Sequence, residues 1–327
     1  MRRVGKSAVK GRASSVPAPQ GGARRLGAAR RLLVTPKGRA SPVPAPQGGA
    51  RRLGAARRLL VTTLRSTAFC AAMFALALAP TGRAQATALP CERAVYLTFD
   101  TGHMGVADLV ADVLRRHDVR ATFFLANERT RTGGSSLDSQ WADWWRARAA
   151  EGHAFGSHTW DHDVWRADLP DGRLRVRPTQ GSQAGSDRVL DASGYCQALA
   201  QPARRFHEIT GQPMGAVFRA PAGRVSPGLR AAAEGCGWTH VGWSAAGFLG
   251  DELPSERYPN DQLLARALRD IRPGNVLLAH LGIWSRQDPW APAVLEPLIV
   301  GLKQRGLCFA TLREHPQYGA AARRAAP

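Results

Sequence analysis

Short apolar stretches alternate with amphipathic ones along residues 94–313, and this alternation constrains the fold more than any other feature of the sequence. Strand-like stretches of about six residues, such as AVYLTF (residues 94–99) and NVLLAH (275–280), alternate with helical patterns such as GVADLVADVLRRH (105–117). Repeated strand–helix units predict parallel strands joined by crossover helices. About seven units predict an α/β fold, specifically a distorted (β/α) barrel of about seven parallel strands.

Polar or aromatic side chains occur where five of the predicted strands end: Asp100, His158, Arg219, Trp243 and His280. In a barrel, the carboxyl ends of parallel strands meet at one rim, and that rim carries the functional residues. One such residue alone usually caps a helix or forms a turn. Five are difficult to explain as core packing, because a buried charge or imidazole is costly without partners. The pattern therefore predicts a functional site.

The stretch HTWDH contains two histidines, His158 and His162, four positions apart. On a helical turn this spacing would place both imidazoles on one face, where they can bind one divalent metal ion. Histidine pairs at this spacing also occur on surfaces without a metal. The carboxylate of Asp100 at another strand end favours the metal-binding interpretation.

A polar segment rich in Gly, Pro and Arg, residues 164–187, interrupts the alternation. Such composition is typical of surface loops. We expect a loop or insertion that overhangs the rim, where it either shapes substrate choice or is a solvated insertion.

Most of the positive charge lies in the first part of the chain. The 327 residues carry a formal net charge of +20, but 17 of the 45 Lys and Arg residues lie in residues 1–86, which contain no Asp or Glu. Residues 87–327 therefore have a net charge of about +3. This balance argues against a nucleic-acid partner for that part of the chain.

Residues 1–66 contain two almost identical basic copies, residues 11–35 and 38–62. Each copy has too few apolar residues to fold alone, and two copies are too few for a solenoid. We interpret this low-complexity segment as a recent duplication or as upstream sequence from a misassigned start. The alternative is a basic arm that binds nucleic acid or anionic lipid.

Residues 67–86 have the pattern of a secretory signal peptide. Arginines precede the apolar run AFCAAMFALALA (residues 68–79), and the small-x-small stretch AQA (84–86) follows it. The run is shorter than the roughly 20 residues that a membrane-spanning helix needs. We expect export, no stable membrane span, and one catalytic domain at residues 87–327; an uncleaved anchor is the alternative.

Four cysteines remain after the signal: Cys91, Cys196, Cys236 and Cys308. None forms a CxxC pair, so a zinc–thiolate site is not expected. An oxidising compartment favours disulfides, but four cysteines allow three pairings and spacing alone does not choose among them.

Five ordered stretches resemble the motifs of the polysaccharide deacetylases of carbohydrate esterase family 4, the NodB-homology type. They are TFDTG (98–102), HTWDH (158–162), RAPAG (219–223), WS (243–244) and LAH (278–280). The resemblance covers most of residues 95–313 and implies a NodB-like barrel and a hydrolase that uses water activated by a divalent metal, with zinc as the expected ion.

The resemblance implies a role for each matching residue. His158 and His162 would be metal ligands, and Asp100 would be the general base that takes a proton from the attacking water. Arg219 would pair with Asp100 and keep it ionised. His280 would be the general acid that protonates the leaving nitrogen, which amide hydrolysis needs because an amide anion is a poor leaving group.

Two positions depart from the family pattern. The usual third metal ligand is an aspartate, where this chain has Thr101. Either Thr101 or His103 completes the metal site, or metal and activity have been lost; the retention of the acid–base residues favours a working site. The fourth motif lacks its usual aspartate after Trp243, and Asp251 or Glu252 is the candidate replacement.

Four residues are candidate substrate-binding groups: Ala222, through its backbone N–H, and Trp160, Trp243 and Trp284, whose flat apolar faces suit a sugar ring. A closed barrel would make the first and last strands neighbours, which favours a Cys91–Cys308 disulfide. Cys196 and Cys236 on successive predicted helices would form the second.

Together these features predict a secreted or periplasmic, metal-dependent polysaccharide deacetylase that removes N-acetyl groups from the amino sugars of peptidoglycan or a chitin-like polymer. Its partner would be an acetylated polysaccharide or oligosaccharide. The alternatives are an O-acetyl esterase or small-molecule amidase on the same scaffold, and a non-catalytic glycan-binding relative, suggested by Thr101.

Overall fold

The computed structural model describes residues 91–291 and 293–327. The predicted duplicated segment (residues 1–66) and the predicted signal peptide (67–86) lie outside the described residues.

Seven strands of the described chain form one parallel sheet, and three more form a separate antiparallel sheet. Their bounds are β1 (Ala94–Asp100), β2 (Thr122–Leu125), β3 (Ala154–Ser157), β4 (Asp163–Asp168), β5 (Leu174–Pro178), β6 (Arg188–Leu190), β7 (Val217–Phe218), β8 (Thr239–His240), β9 (Val276–His280) and β10 (Cys308–Phe309).

Helices connect most of the parallel strands. They are α1 (Ala107–Arg116), α2 (Ala142–Ala150), α3 (Ala192–Thr210), α4 (Pro227–Gly235), α5 (Asn260–Asp270), α6 (Leu295–Gln304) and α7 (Gly319–Arg323). No helix in the described part of the chain is both long enough and apolar enough to cross a bilayer.

The parallel sheet has the order β10-β1-β2-β3-β7-β8, and β9 also pairs with β1. Between β8 and β9 the sheet continues only through irregular backbone, including a hydrogen bond from the Ser244 N–H to the Val276 carbonyl. The sheet is therefore curled and incompletely closed, which confirms the predicted distorted (β/α) barrel of about seven parallel strands.

The central strand β1 is buried from Val95 to Asp100. Strands of a parallel sheet are covered on both faces, so they read as continuous apolar runs. Parallel pairing places Asp100 beside His280 on β9 and beside Phe124 on β2. The base and acid predicted from the sequence thus end two neighbouring strands at the same edge of the sheet.

Aromatic side chains fill the layer between the sheet and α2. Phe99, Phe123 and Phe155 lie on β1, β2 and β3, and the ring of Phe123 stacks on both others. Trp145 is fully buried, and its ring meets Phe123 and Phe155 edge-on. These contacts are the edge-to-face and offset geometries that aromatic pairs prefer.

The predicted loop at residues 164–187 is an insertion, but it contains regular structure. Strands β4, β5 and β6 pair in antiparallel fashion. Along β5, Leu174 and Val176 are buried whereas Arg175 and Arg177 point outward. This alternation is the signature of a half-buried strand, and the polar composition of the segment obscured it.

Both predicted disulfides are present. Cys91 joins Cys308, with 6.3 Å between their Cα atoms, and Cys196 joins Cys236, with 6.2 Å. The first bridge connects the residues before β1 to β10, which pairs with β1. The second connects α3 to the end of α4.

We expect the double variant Cys196→Ala/Cys236→Ala to unfold more easily than the wild type. The bridge closes a 40-residue separation, for which the chain-entropy model gives about 4 kcal/mol of stabilisation. Urea unfolding followed by circular dichroism measures the difference. Equal unfolding midpoints for the variant and for wild type with intact disulfides would contradict a stabilising role for the Cys196–Cys236 bridge.

Candidate active site

A buried ion pair joins Asp100 to Arg219 at the end of the central strands. Arg219 Nη1 donates to Asp100 Oδ1 over 2.8 Å, and Nη2 donates to Thr98 Oγ1 over 2.8 Å and to the Gly242 carbonyl over 3.2 Å. Arg219 is fully buried, and its guanidinium lies over the ring of Phe124, 4.3 Å from the centroid. The arginine therefore has hydrogen-bond acceptors for both Nη atoms and an aromatic ring against a face of its guanidinium.

These contacts hold Asp100 in its ionised form. Burial opposes ionisation of this carboxyl, but the positive charge of Arg219, helped by His158 and His280, outweighs burial and lowers its pKa below the ordinary value. An ionised carboxylate with lone pairs free toward a cavity is the state that a general base needs.

His158 follows β3, and His162 is its partner in a tight turn. The turn is not helical: Thr159 and His162 have φ angles of 60° and 52°, in the left-handed region that non-glycine residues rarely adopt. The two imidazole rings nevertheless lie 4.9 Å apart. The assumption of a helical turn was wrong, but the two side chains do meet.

Each imidazole is oriented through its Nδ1 atom. His158 Nδ1 donates to the Arg219 carbonyl over 2.9 Å, and His162 Nδ1 lies 2.8 Å from Thr179 Oγ1. Because a carbonyl only accepts, His158 carries its proton on Nδ1 and leaves the Nε2 lone pair free. Burial lowers the pKa of His158 to about 4, so its neutral form prevails near pH 7.

The two histidines fit a metal ion in orientation, because metal-binding imidazoles usually hydrogen-bond such a partner through their other nitrogen. His158 Nε2 also lies 3.4 Å from Asp100 Oδ2, and a lone pair and a carboxylate this close both favour a cation. Among the described residues, however, no group of three His, Cys, Asp or Glu side chains is arranged to hold a metal.

The side chains of the two predicted third ligands make contacts of their own. The Thr101 hydroxyl donates to Glu128 Oε2 and accepts from the Ala126 N–H. His103 Nδ1 accepts from the Gly105 N–H over 2.9 Å. His103 lines a neighbouring cavity that His280 also lines, whereas Glu128 lines the cavity of about 260 Å³ that His158 and His162 share.

His280 lies across that cavity and is supported by Asp251. Its Nδ1 is 3.1 Å from Asp251 Oδ1, and its backbone N–H donates to Asp251 Oδ2 over 2.7 Å. Burial favours neutral imidazole, but the carboxylates of Asp251, Asp100 and Glu252 together outweigh burial and raise the pKa of His280 to about 9. His280 is therefore protonated near neutral pH, as a general acid must be.

The four candidate substrate-binding residues are dispersed. Ala222, with a left-handed φ of 55°, and Trp243 line the cavity of the two histidines. Trp284 is 55% exposed and lies edge-on to His103. Trp160 lines a different cavity, next to Arg188.

The amino-acid sequence of this chain is similar to those of known deacetylases. The family model described as polysaccharide deacetylase matches residues 88–241. A chitooligosaccharide deacetylase of a Bradyrhizobium species is 31% identical over 191 residues, 58% of this chain and 71% of that protein. The chain belongs to the polysaccharide deacetylase family.

One further sequence relative and one solved structure are also similar to this chain. The peptidoglycan-N-acetylmuramic acid deacetylase PdaA of Bacillus subtilis is 26% identical over 225 residues, 68% of this chain and 70% of that protein. A family 4 acetyl xylan esterase of Clostridium thermocellum, solved with a cobalt ion, superposes with a TM-score of 0.51 at 23% identity, covering 67% of this chain and 88% of that one. The second supports the NodB-like fold alone.

Two features of the site were not predicted from the sequence: Glu128 in the cavity, and the contact between Asp251 and His280. Glu128 was missed, although it lies only three positions beyond the end of β2, where the strand-end rule could have found it. From the sequence, Asp251 was named, with Glu252, only as a candidate replacement for the aspartate missing after Trp243. In the structure it contacts His280 instead.

We expect the variant Asp251→Asn to lower the pKa of His280 in the metal-free protein. The wild-type pKa is about 9, so His280 is protonated below that pH and neutral above it. Removing an opposite charge within hydrogen-bonding distance lowers such a value by about one unit or more. NMR titration of the imidazole measures both proteins. Identical titration curves would show that Asp251 does not stabilise the imidazolium.

Proposed function

We propose that the protein is a metal-dependent hydrolase that removes N-acetyl groups from the amino sugars of a polysaccharide, either peptidoglycan or a chitin-like polymer. The observation that carries this proposal is the opposed pair across one cavity. Asp100 is held ionised by Arg219, and His280 is held protonated chiefly by Asp251. Groups whose environments push their pKa values apart are suited to base and acid roles.

The cofactor in this proposal is a divalent metal, with zinc as the specific choice. His158 and His162 would hold it, and when bound it would polarise the acetyl carbonyl and the attacking water. Two imidazole ligands favour zinc over a hard oxygen-seeking ion such as magnesium.

The chain's own residues supply the proton transfers. Asp100 accepts a proton as a water oxygen attacks the acetyl carbon. Ala222 lines the same cavity, and its backbone N–H would donate to the oxygen of the tetrahedral intermediate. His280 then donates its proton to the nitrogen, the C–N bond breaks, and amine and acetate leave. Proton exchange with solvent restores both side chains.

The protonated His280 favours an amide over an ester substrate. An alcohol leaves without full protonation more easily than an amine does, so an acid with a raised pKa is needed most for the C–N bond. O-acetyl ester hydrolysis on the same scaffold remains the second candidate, since a structurally similar protein is an acetyl xylan esterase.

A non-catalytic glycan-binding role is favoured by Thr101 but not by the rest of the site. A binding module has no need for a buried carboxylate and a buried imidazolium held in opposite protonation states, because both cost burial energy.

The exposed Trp284 and the cavity-lining Trp243 offer the apolar faces that would contact sugar rings.

We also propose that the domain acts outside the cytoplasm, in the periplasm or as a secreted protein. Two disulfides fit an oxidising compartment, and a relative from Bacillus subtilis is named as a peptidoglycan deacetylase. The partner would be acetylated polysaccharide or oligosaccharide, with no nucleic-acid partner for residues 87–327.

We expect Asp100→Asn to reduce acetate release from N-acetylglucosamine oligomers or peptidoglycan by about 100-fold or more, because general-base catalysis contributes about 10²–10⁴ in rate. The variant should still bind zinc. Asp143→Asn, a change at a side chain that is 97% exposed on α2, is the matched control and should release acetate at the wild-type rate.

Acetate assays of zinc-loaded wild type on N-acetylated and O-acetylated polymers separate the candidates. Faster release from N-acetylated sugar supports the proposal, and faster release from O-acetylated xylan favours the esterase. Glycan binding with no acetate from either polymer would favour the binding module. Equal activity of Asp100→Asn and wild type would remove Asp100 as the base.

A further inference from the structure

Glu128 is a buried carboxylate with no positively charged partner among residues 91–291 and 293–327. It is only 9% exposed, and within the described part of the chain it forms no ion pair with Arg, Lys or His; its hydrogen-bond donors there, Thr101 and the Gly102 N–H, both reach Oε2. Oε1 accepts no hydrogen bond from the described residues. A buried carboxylate normally has a cationic partner or a metal.

The backbone around Glu128 is fixed at both of its polar groups. Its N–H donates to Ser136 Oγ over 3.0 Å, and its carbonyl accepts from the Ser136 N–H over 2.8 Å. Ser136 is fully buried and also donates to the Ala126 carbonyl. The backbone that carries the Glu128 carboxylate is therefore fixed by hydrogen bonds to a buried serine.

The hydroxyl of Thr101 is committed to Glu128. Because Thr101 Oγ1 accepts from the Ala126 N–H, its own proton is free to point to Glu128 Oε2. The pair orients the carboxylate, with Oε2 anchored and Oε1 unpaired. Metal-binding carboxylates are commonly held in this way by hydrogen bonds to the oxygen that does not carry the metal.

We propose that Glu128 is the third protein ligand of the metal site and takes the place of the aspartate that position 101 lacks. It lines the same cavity as His158 and His162. This inference rests on the proposed function, because it concerns the metal of that site. The three side chains do not form a metal-holding group as they lie, so the ligand set closes when the metal binds.

The test is zinc affinity of the full-length chain, measured by calorimetry, together with the visible absorption of the cobalt-substituted protein. We expect Glu128→Gln, which keeps shape and loses the ligand charge, to weaken zinc at least tenfold and to change the cobalt spectrum. Glu252→Gln removes a carboxylate from the same cavity and is the matched control. Its zinc affinity should stay within about threefold of wild type.

A second variant distinguishes whether Glu128 binds the metal or only stabilises the loop that contains it. Adding Thr101→Asp to Glu128→Gln restores a carboxylate beside the histidines and should recover zinc affinity. No recovery, or equal affinity in Glu128→Gln and wild type, would overturn the inference and leave the proposed function standing. Failure of the wild type itself to bind zinc or cobalt would instead overturn the metal-dependent function.

Discussion

The buried contact between Arg219 and Asp100 determines much of the site. A fully buried guanidinium is tolerated only when charge and hydrogen bonds compensate its lost hydration, and here a carboxylate, a hydroxyl and a carbonyl do so. The backbone of Arg219 also forms hydrogen bonds to β3 and to His158. Its N–H donates to the Ser157 carbonyl, and its carbonyl accepts from His158. One arginine thereby sets both the ionisation of Asp100 and the orientation of the His158 imidazole.

Opposite protonation states on neighbouring strands follow from where the compensating charges lie. Asp100 and His280 end adjacent strands, so each contributes to the field at the other, but their main partners approach from different sides. Arg219 follows β7, whereas Asp251 lies in the irregular segment between β8 and β9. The sheet brings Asp100 and His280 together, and the segment between β8 and α5 supplies the carboxylate that keeps His280 charged.

The sequence predicts the strand-end residues well because parallel strands impose a common edge, so apolar runs that end in Asp100, His158, Arg219 and His280 imply one site. Contacts made by loops are less predictable. Nothing in the spacing of residues 158–162 indicates a turn with two left-handed residues, and the partner of Asp251 depends on how an irregular segment folds. The disulfides were predictable because strand adjacency places Cys91 beside Cys308.

Thr101 illustrates why a departure from a motif need not remove the chemistry. The motif describes positions along one strand, whereas a metal needs charges in space, and the loop after the neighbouring strand β2 reaches the same region. A threonine at position 101 gives a hydroxyl proton to Glu128, where an aspartate would place a second negative charge against it and be repelled. If Glu128 binds the metal as proposed, the identity of residue 101 would determine whether the carboxylate at residue 128 is stabilised or repelled.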